Sequence, residues 1–187
     1  MSDNLELTQT LNPYMNRVTD STEETFINAL SSKYNISLDD ARILNNKNIA
    51  EMNSSNIDMV VNYKTAKKEF IINSDISIVM GVEVQYLSNY SLTEKAIEFI
   101  EYGNPSIEII GNDVFRWSSN IPSIDKMNNN IRISTLGRIM VDHDSNSKFD
   151  LTGFEKGVSA GDITAYYTPI DTYVMNIKFS DSSVNVY

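Results

Sequence analysis

From Ile76 to Tyr86 the chain alternates. Ile76, Ile78, Met80, Val82, Val84 and Tyr86 fall on one face, and Ser77, Val79, Gly81, Glu83 and Gln85 on the other. Period two sustained over this length predicts a long strand across residues 75–87 with one buried face. The pattern returns further on, where Ile131, Ile133, Thr135, Gly137, Ile139 and Val141 oppose Arg132, Ser134, Leu136, Arg138 and Met140. That predicts a second long strand over 131–141, in the same sheet system as the first. Residues 107–110 and 114–118 flank Gly111-Asn112-Asp113 and read as a hairpin. Further strands are expected at Ile163–Tyr167, 172–179 and 184–187. Residues 119–130 read as a loop, and Gly153 and Gly157 as turn positions that need a positive φ.

The front third has a longer period. Ser21-Thr22-Glu23-Glu24 reads as a capping box opening a helix with Phe26, Ile27, Leu30 and Tyr34 along one stripe. Ser37-Leu38-Asp39-Asp40 offers a second start, followed by Ala41, Leu44, Ile49 and Met52. Asn45, Asn46 and Asn48 are expected to break this segment, because asparagine competes for its own backbone. Residues 56–70 read as a third helix with Val60, Val61 and Ala66 inward and Lys64, Lys67 and Lys68 on a solvated face. Ser91-Leu92-Thr93-Glu94 reads as the cap of a helix over 93–102, buried through Ile97 and Ile100, against which the two long strands pack. The fold class is α+β: an N-terminal helical cluster, then a mainly antiparallel β-sheet or sandwich with one inserted helix. Residues 1–19 are polar and aperiodic and read as an extended arm. Residues 20–187 read as one domain, helical to 70 and mainly β after it.

Composition narrows the classes of function. A chain of 187 residues can bury a core without staples, and its lack of cysteine excludes thiol catalysis and disulfide frameworks. A net charge of −10 argues against direct readout of nucleic acid. No apolar run is long enough for a membrane-spanning helix. The N-terminus has neither a basic start nor an apolar core, so the expectation is cytoplasmic synthesis without a signal peptide.

The densest set of oxygen ligands follows the second long strand. Asp142, Asp144 and Asn146 occupy the first, third and fifth positions of a calcium-loop pattern, with Asp150 at the ninth. Ser147 stands where that loop wants glycine, and Gly153 where it wants a bidentate glutamate. Glu155 lies two residues late. The competing reading is a turn in which Asp and Asn side chains bond their own backbone. His143, the only histidine, sits within this stretch, but one histidine makes neither a zinc site nor a triad. Glu83, Glu108, Asp113 and Glu155 could supply the paired carboxylates of glycoside hydrolysis, a chemistry decided by their separation.

Arg116 and Trp117, residue types that anchor interfaces, form one candidate contact. Leu5, Leu7, Leu11, Tyr14 and Met15 are the anchors of the arm. They bury too little surface to offset the cost of ordering it, about 1–2 kcal/mol per residue of backbone, so a partner is expected to receive it. The expected function is therefore a non-catalytic structural or interaction subunit of a larger assembly, such as the capsid, neck or tail of a viral or phage particle. Its partners would be other subunits, in a homo- or hetero-oligomer. Two alternatives are a calcium-dependent binding module using residues 142–150 and a hydrolase of unrecognised type. Calcium is the one cofactor considered.

Overall fold

Both alternating segments fold as strands, and each is the spine of its own sheet. The structure is a computed structural model describing residues 16–53, 59–89, 96–111, 115–180 and 183–187. In chain order its elements are β1 (Arg17–Asp20), α1 (Glu23–Tyr34), α2 (Leu38–Asn53), β2 (Met59–Ile71), β3 (Ser77–Asn89), β4 (Ala96–Tyr102) and β5 (Ser106–Ile110). Then come β6 (Phe115–Ser119), β7 (Ser123–Met127), β8 (Asn130–Asp144), β9 (Glu155–Ala160), β10 (Ile163–Tyr167), β11 (Asp171–Phe179) and β12 (Val184–Val186). Among the described residues there are two helices, and antiparallel sheets hold about 57% of those residues, an α+β fold.

The first sheet runs β1-β2-β3-β4, with β5 continuing the row of β4 along β3. In the second sheet β8 is central. Val141 pairs with both Phe115 of β6 and Tyr166 of β10, while Ile133 pairs with both Ile124 of β7 and Met175 of β11. A residue can pair only once on each side, so β6 and β7 lie end to end on one edge of β8, and β10 and β11 on the other. β9 and β12 lie outside them.

The sheets stack face to face. Ile78, Met80, Val82 and Val84 share one buried core with Ile131, Ile133, Ile139 and Val141, the faces their alternation assigns. Ring pairs cross the gap, Phe70 on Tyr173 at 5.3 Å and Phe99 on Phe179 at 5.2 Å between centroids. Each aliphatic side chain buried here stabilises the fold by about 1.5–3 kcal/mol. Both helices cover the outer face of the first sheet, where Phe26, Ile27, Leu30 and Ala41 pack with Tyr63 of β2. The order of layers is helices, first sheet, second sheet. The two long strands therefore face each other from different sheets rather than sharing one.

Several local expectations are corrected. The third helix is β2, whose thirteen residues pair in unbroken register with β3. Val60, Val61, Tyr63, Thr65 and Ile71 are β-formers, and the free edge of β3 decides the matter. Lys67 consequently points to the face opposite Lys64 and Lys68. The inserted helix is β4, which pairs with β3 through two register shifts and buries Phe99. Its proposed cap lies outside the described residues. β5 and β6 form no hairpin, since β5 pairs with β3 and β6 with β8, and the chain crosses between sheets there. The loop of residues 119–130 contains β7, turned into β8 by Asn128 at φ 50°.

The start of α1 shifts by one residue. Thr22 is its N-cap, accepting from the Thr25 amide at 3.1 Å, while the Ser21 hydroxyl bonds Glu83. Tyr34 is exposed rather than inward, with its hydroxyl on Glu101. Helix α2 is unbroken over 16 residues, because Asn45 has a buried partner that outweighs its own backbone. Residues 17–19, assigned to the arm, belong to edge strand β1. Residues 1–15 of the arm lie outside the described residues.

Candidate functional site

The loop after β8 begins as two faces of one strand. Asp142 and Asp144 lie on the solvent face, while His143 follows Val141 and meets Tyr166 edge-on, ring centroids 5.7 Å apart. Asp142 accepts from the Arg116 guanidinium at 3.2 Å. Asp144 accepts from the Asn146 amide at 2.9 Å, and its carbonyl from Ser147 at 3.2 Å, which makes the turn. Phe149 then drops toward the core between Phe115 and Phe154.

Asp150 works at longer range. Its carboxylate accepts from the Thr152 amide at 2.8 Å and from the Ser74 hydroxyl at 2.7 Å, and its carbonyl from Asn73 at 2.7 Å. Its own amide donates to Asp75. The hydrogen bonds from Thr152 and Ser74 hold the Asp150 carboxyl down at about 2. The loop of the second sheet is thereby laced to the β2–β3 turn of the first. Glu155 stands apart on the exposed strand β9, opposite Tyr167. Among the described residues no group of three His, Asp or Glu is placed to hold a metal ion. What the geometry does show is turn chemistry at Asp144 and a tie between sheets at Asp150.

Of the three glycines after the loop, Gly153 and Gly161 take positive φ, 84° and 64°. Gly157 lies inside β9, where a Cβ would fall 2.2 Å from the Tyr167 ring, so its role is close packing. Among the candidate carboxylates, Glu83 is engaged on the outer face of the first sheet by the Ser21 and Thr65 hydroxyls at 2.6 and 2.7 Å. Glu155 is in the other sheet, and Asp113 lies outside the described residues.

Neither helix among the described residues packs on the outer face of the second sheet. Arg132, Ser134, Leu136, Arg138 and Met140 of β8 point outward, flanked by Arg116 on β6 and by Thr172 and Lys178 on β11. Among the described residues Arg132 and Lys178 make no ion pair, while Arg138 lies 4.8 Å from the centre of the Tyr167 ring. At the junction of β6, β8 and β11 is a depression of about 240 Å³ lined by Leu136, Ile170 and Asn120. Leu136 is 45% exposed, Ile170 61%, and Ile121, next to Asn120, 90%. Periodicity had assigned Leu136 to the solvent side; Ile121 and Ile170 carry no periodic signal, being in connections.

Trp117 is half-buried against Tyr173, ring centroids 5.6 Å apart, and serves the core, whereas its neighbour Arg116 is exposed. Leu5, Leu7, Leu11, Tyr14 and Met15 lie outside the described residues. No helix among the described residues is long and apolar enough to cross a membrane. The chain matches no protein-family model, no curated protein and no solved structure.

Proposed function

We propose that the protein is a non-catalytic building block of a larger protein assembly, joined to copies of itself through the outer face of its second sheet. The observation that carries this reading is the pair of exposed apolar side chains Leu136 and Ile170 lining one depression, on a face that neither described helix covers. Among the described residues the helices pack on part of the outer face of the first sheet, and no helix packs on that of the second. Clustered apolar side chains framed by arginine are the composition of an interface centre, where arginine and large apolar groups are enriched and burial excludes water. Arg132, Arg138 and Lys178 would meet the acidic surplus that the rest of the chain carries. The arm, with Leu5, Leu7, Leu11, Tyr14 and Met15, adds a second contact by ordering on a neighbour. A particle such as a viral or phage capsid, neck or tail is the setting such a subunit fits.

Paired surface variants test the assignment. Leu136→Glu with Ile170→Glu should abolish self-association and leave the melting temperature unchanged. Ile43→Glu, at an exposed apolar position on α2, should leave association intact. Association that survives the first pair and is lost in the second variant contradicts the chosen face.

A further inference from the structure

A second groove lies on the opposite side of the molecule, where the outer face of the first sheet runs out from under α1. It encloses about 580 Å³, within the usual range for small-ligand sites. Its floor is two rows of side chains across the strands. In the first row Arg17 of β1 is the register partner of Lys67 of β2, followed by Gly81 of β3 and Ser106 of β5. In the second row Thr19 pairs with Thr65, and Thr65 with Glu83. Thr25 of α1 and Asn104 form the walls.

The first row is electrostatically unfavourable by itself. Two cations directly opposite each other on neighbouring strands repel. Neither the Arg17 nor the Lys67 side chain has an ion-pair or hydrogen-bond partner among the described residues, although acids outnumber bases 25 to 15 in this chain. Lys33, Lys64, Arg42 and Arg116, by contrast, each have a carboxylate. Beside the pair, Gly81 leaves the floor without a side chain, and Ser106 offers a hydroxyl.

The second row differs in kind. The Glu83 carboxylate is fixed by Ser21 and Thr65, one hydroxyl to each oxygen, which leaves a lone pair on each oxygen for a further donor. Two residues along a strand separate the rows by about 7 Å. A ligand lying along the strands would therefore set an anionic group between Arg17 and Lys67 and present hydroxyls to Glu83, Thr19 and Thr25. No aromatic side chain lines the groove, so nothing there would stack on a base.

We infer that this groove binds an anionic carbohydrate, a sugar unit bearing a carboxylate or a phosphate, with the charge held by Arg17 and Lys67 and the hydroxyls by the Glu83 row. The site is on the face away from the proposed assembly surface and does not depend on it.

The test is a titration of the intact protein, followed by backbone-amide NMR, with glucuronate, a glucose phosphate ester, glucose and inorganic phosphate. At least one of the two charged sugars should bind, shifting the amides of Thr19, Thr65, Gly81 and Ser106; which one binds tells whether the site takes sugar acids or sugar phosphates. Glucose and inorganic phosphate should each bind at least tenfold more weakly. Arg17→Gln and Lys67→Gln should each weaken the charged sugar about tenfold with no change in melting temperature, as expected for a lost charge-assisted hydrogen bond. The inference is overturned if neither charged sugar moves these amides. It is equally overturned if glucose binds as well as glucuronate, if phosphate binds as well as its ester, or if both substitutions leave affinity unchanged.

Discussion

Gln85 of β3 donates through Nε2 to Oδ1 of Asn45 on α2 across 2.7 Å, and neither side chain has exposed surface. The pair is a fully buried polar contact between the helices and the first sheet. Asn45 Nδ2 donates in turn to Glu23 at 3.1 Å, and Gln85 Nε2 also reaches the Tyr63 hydroxyl at 3.3 Å. Removing Asn45 leaves the buried Gln85 amide with only its longer bond to Tyr63. Asn45→Ala should therefore cost about 2–3 kcal/mol in urea unfolding. The double replacement Asn45→Leu with Gln85→Leu should cost less than the sum of the two single ones, since it leaves no unpaired amide.

This pair also marks where the sequence stops being legible. The buried faces of β3 and β8 could be read position by position, though their ends lie up to three residues from the expected ones, because a slip of one position would turn Ile78 or Ile133 to solvent. Asn45 looked like a helix breaker because its partner is 40 residues away and invisible to local propensity. β2 and β4 were misread for the same reason. Their hydrophobic spacing admits a helix, and only the unpaired edges of β3 select a strand. The hairpin at Gly111 failed because turn residues signal a reversal and not which sheet receives the next strand. At the loop, the Asp-rich spacing was legible, but not the use of Asp150 to reach Ser74 in the other sheet.

The Trp117 ring lies over Gly137 of β8. An alanine Cβ at that position would fall 2.5 Å from the indole ring and 2.9 Å from the Ser118 carbonyl. Gly137→Ala should destabilise the protein by about 1–3 kcal/mol, as overpacking does. Because Trp117 is the only tryptophan, its fluorescence maximum should shift in the same variant.

Acid should loosen the tie between the sheets. The Asp150 carboxyl is held near 2 by Thr152 and Ser74, below the ordinary aspartate value of about 3.9. A depressed folded value means the ionised form is favoured in the folded state. Its contribution is complete above the ordinary value and fades as pH falls toward 2. Asp150→Asn should lower stability at neutral pH and flatten the acid limb between those two values. An acid limb identical to that of the parent protein would show that the tie contributes nothing.

Calcium should have no effect if Asp144 and Asp150 serve as turn and tie. The melting temperature should be the same in millimolar calcium and in chelator. A calcium-dependent rise, lost in Asp144→Asn, would instead support the calcium-dependent binding module.

The central claim is that the open face of the second sheet is where copies of this chain meet. Sedimentation velocity of the intact protein across the micromolar range tests it most directly. The account predicts a mass above that of one chain, growing with concentration and returning to one chain in the Leu136→Glu, Ile170→Glu variant. A single-chain mass at every concentration would contradict it.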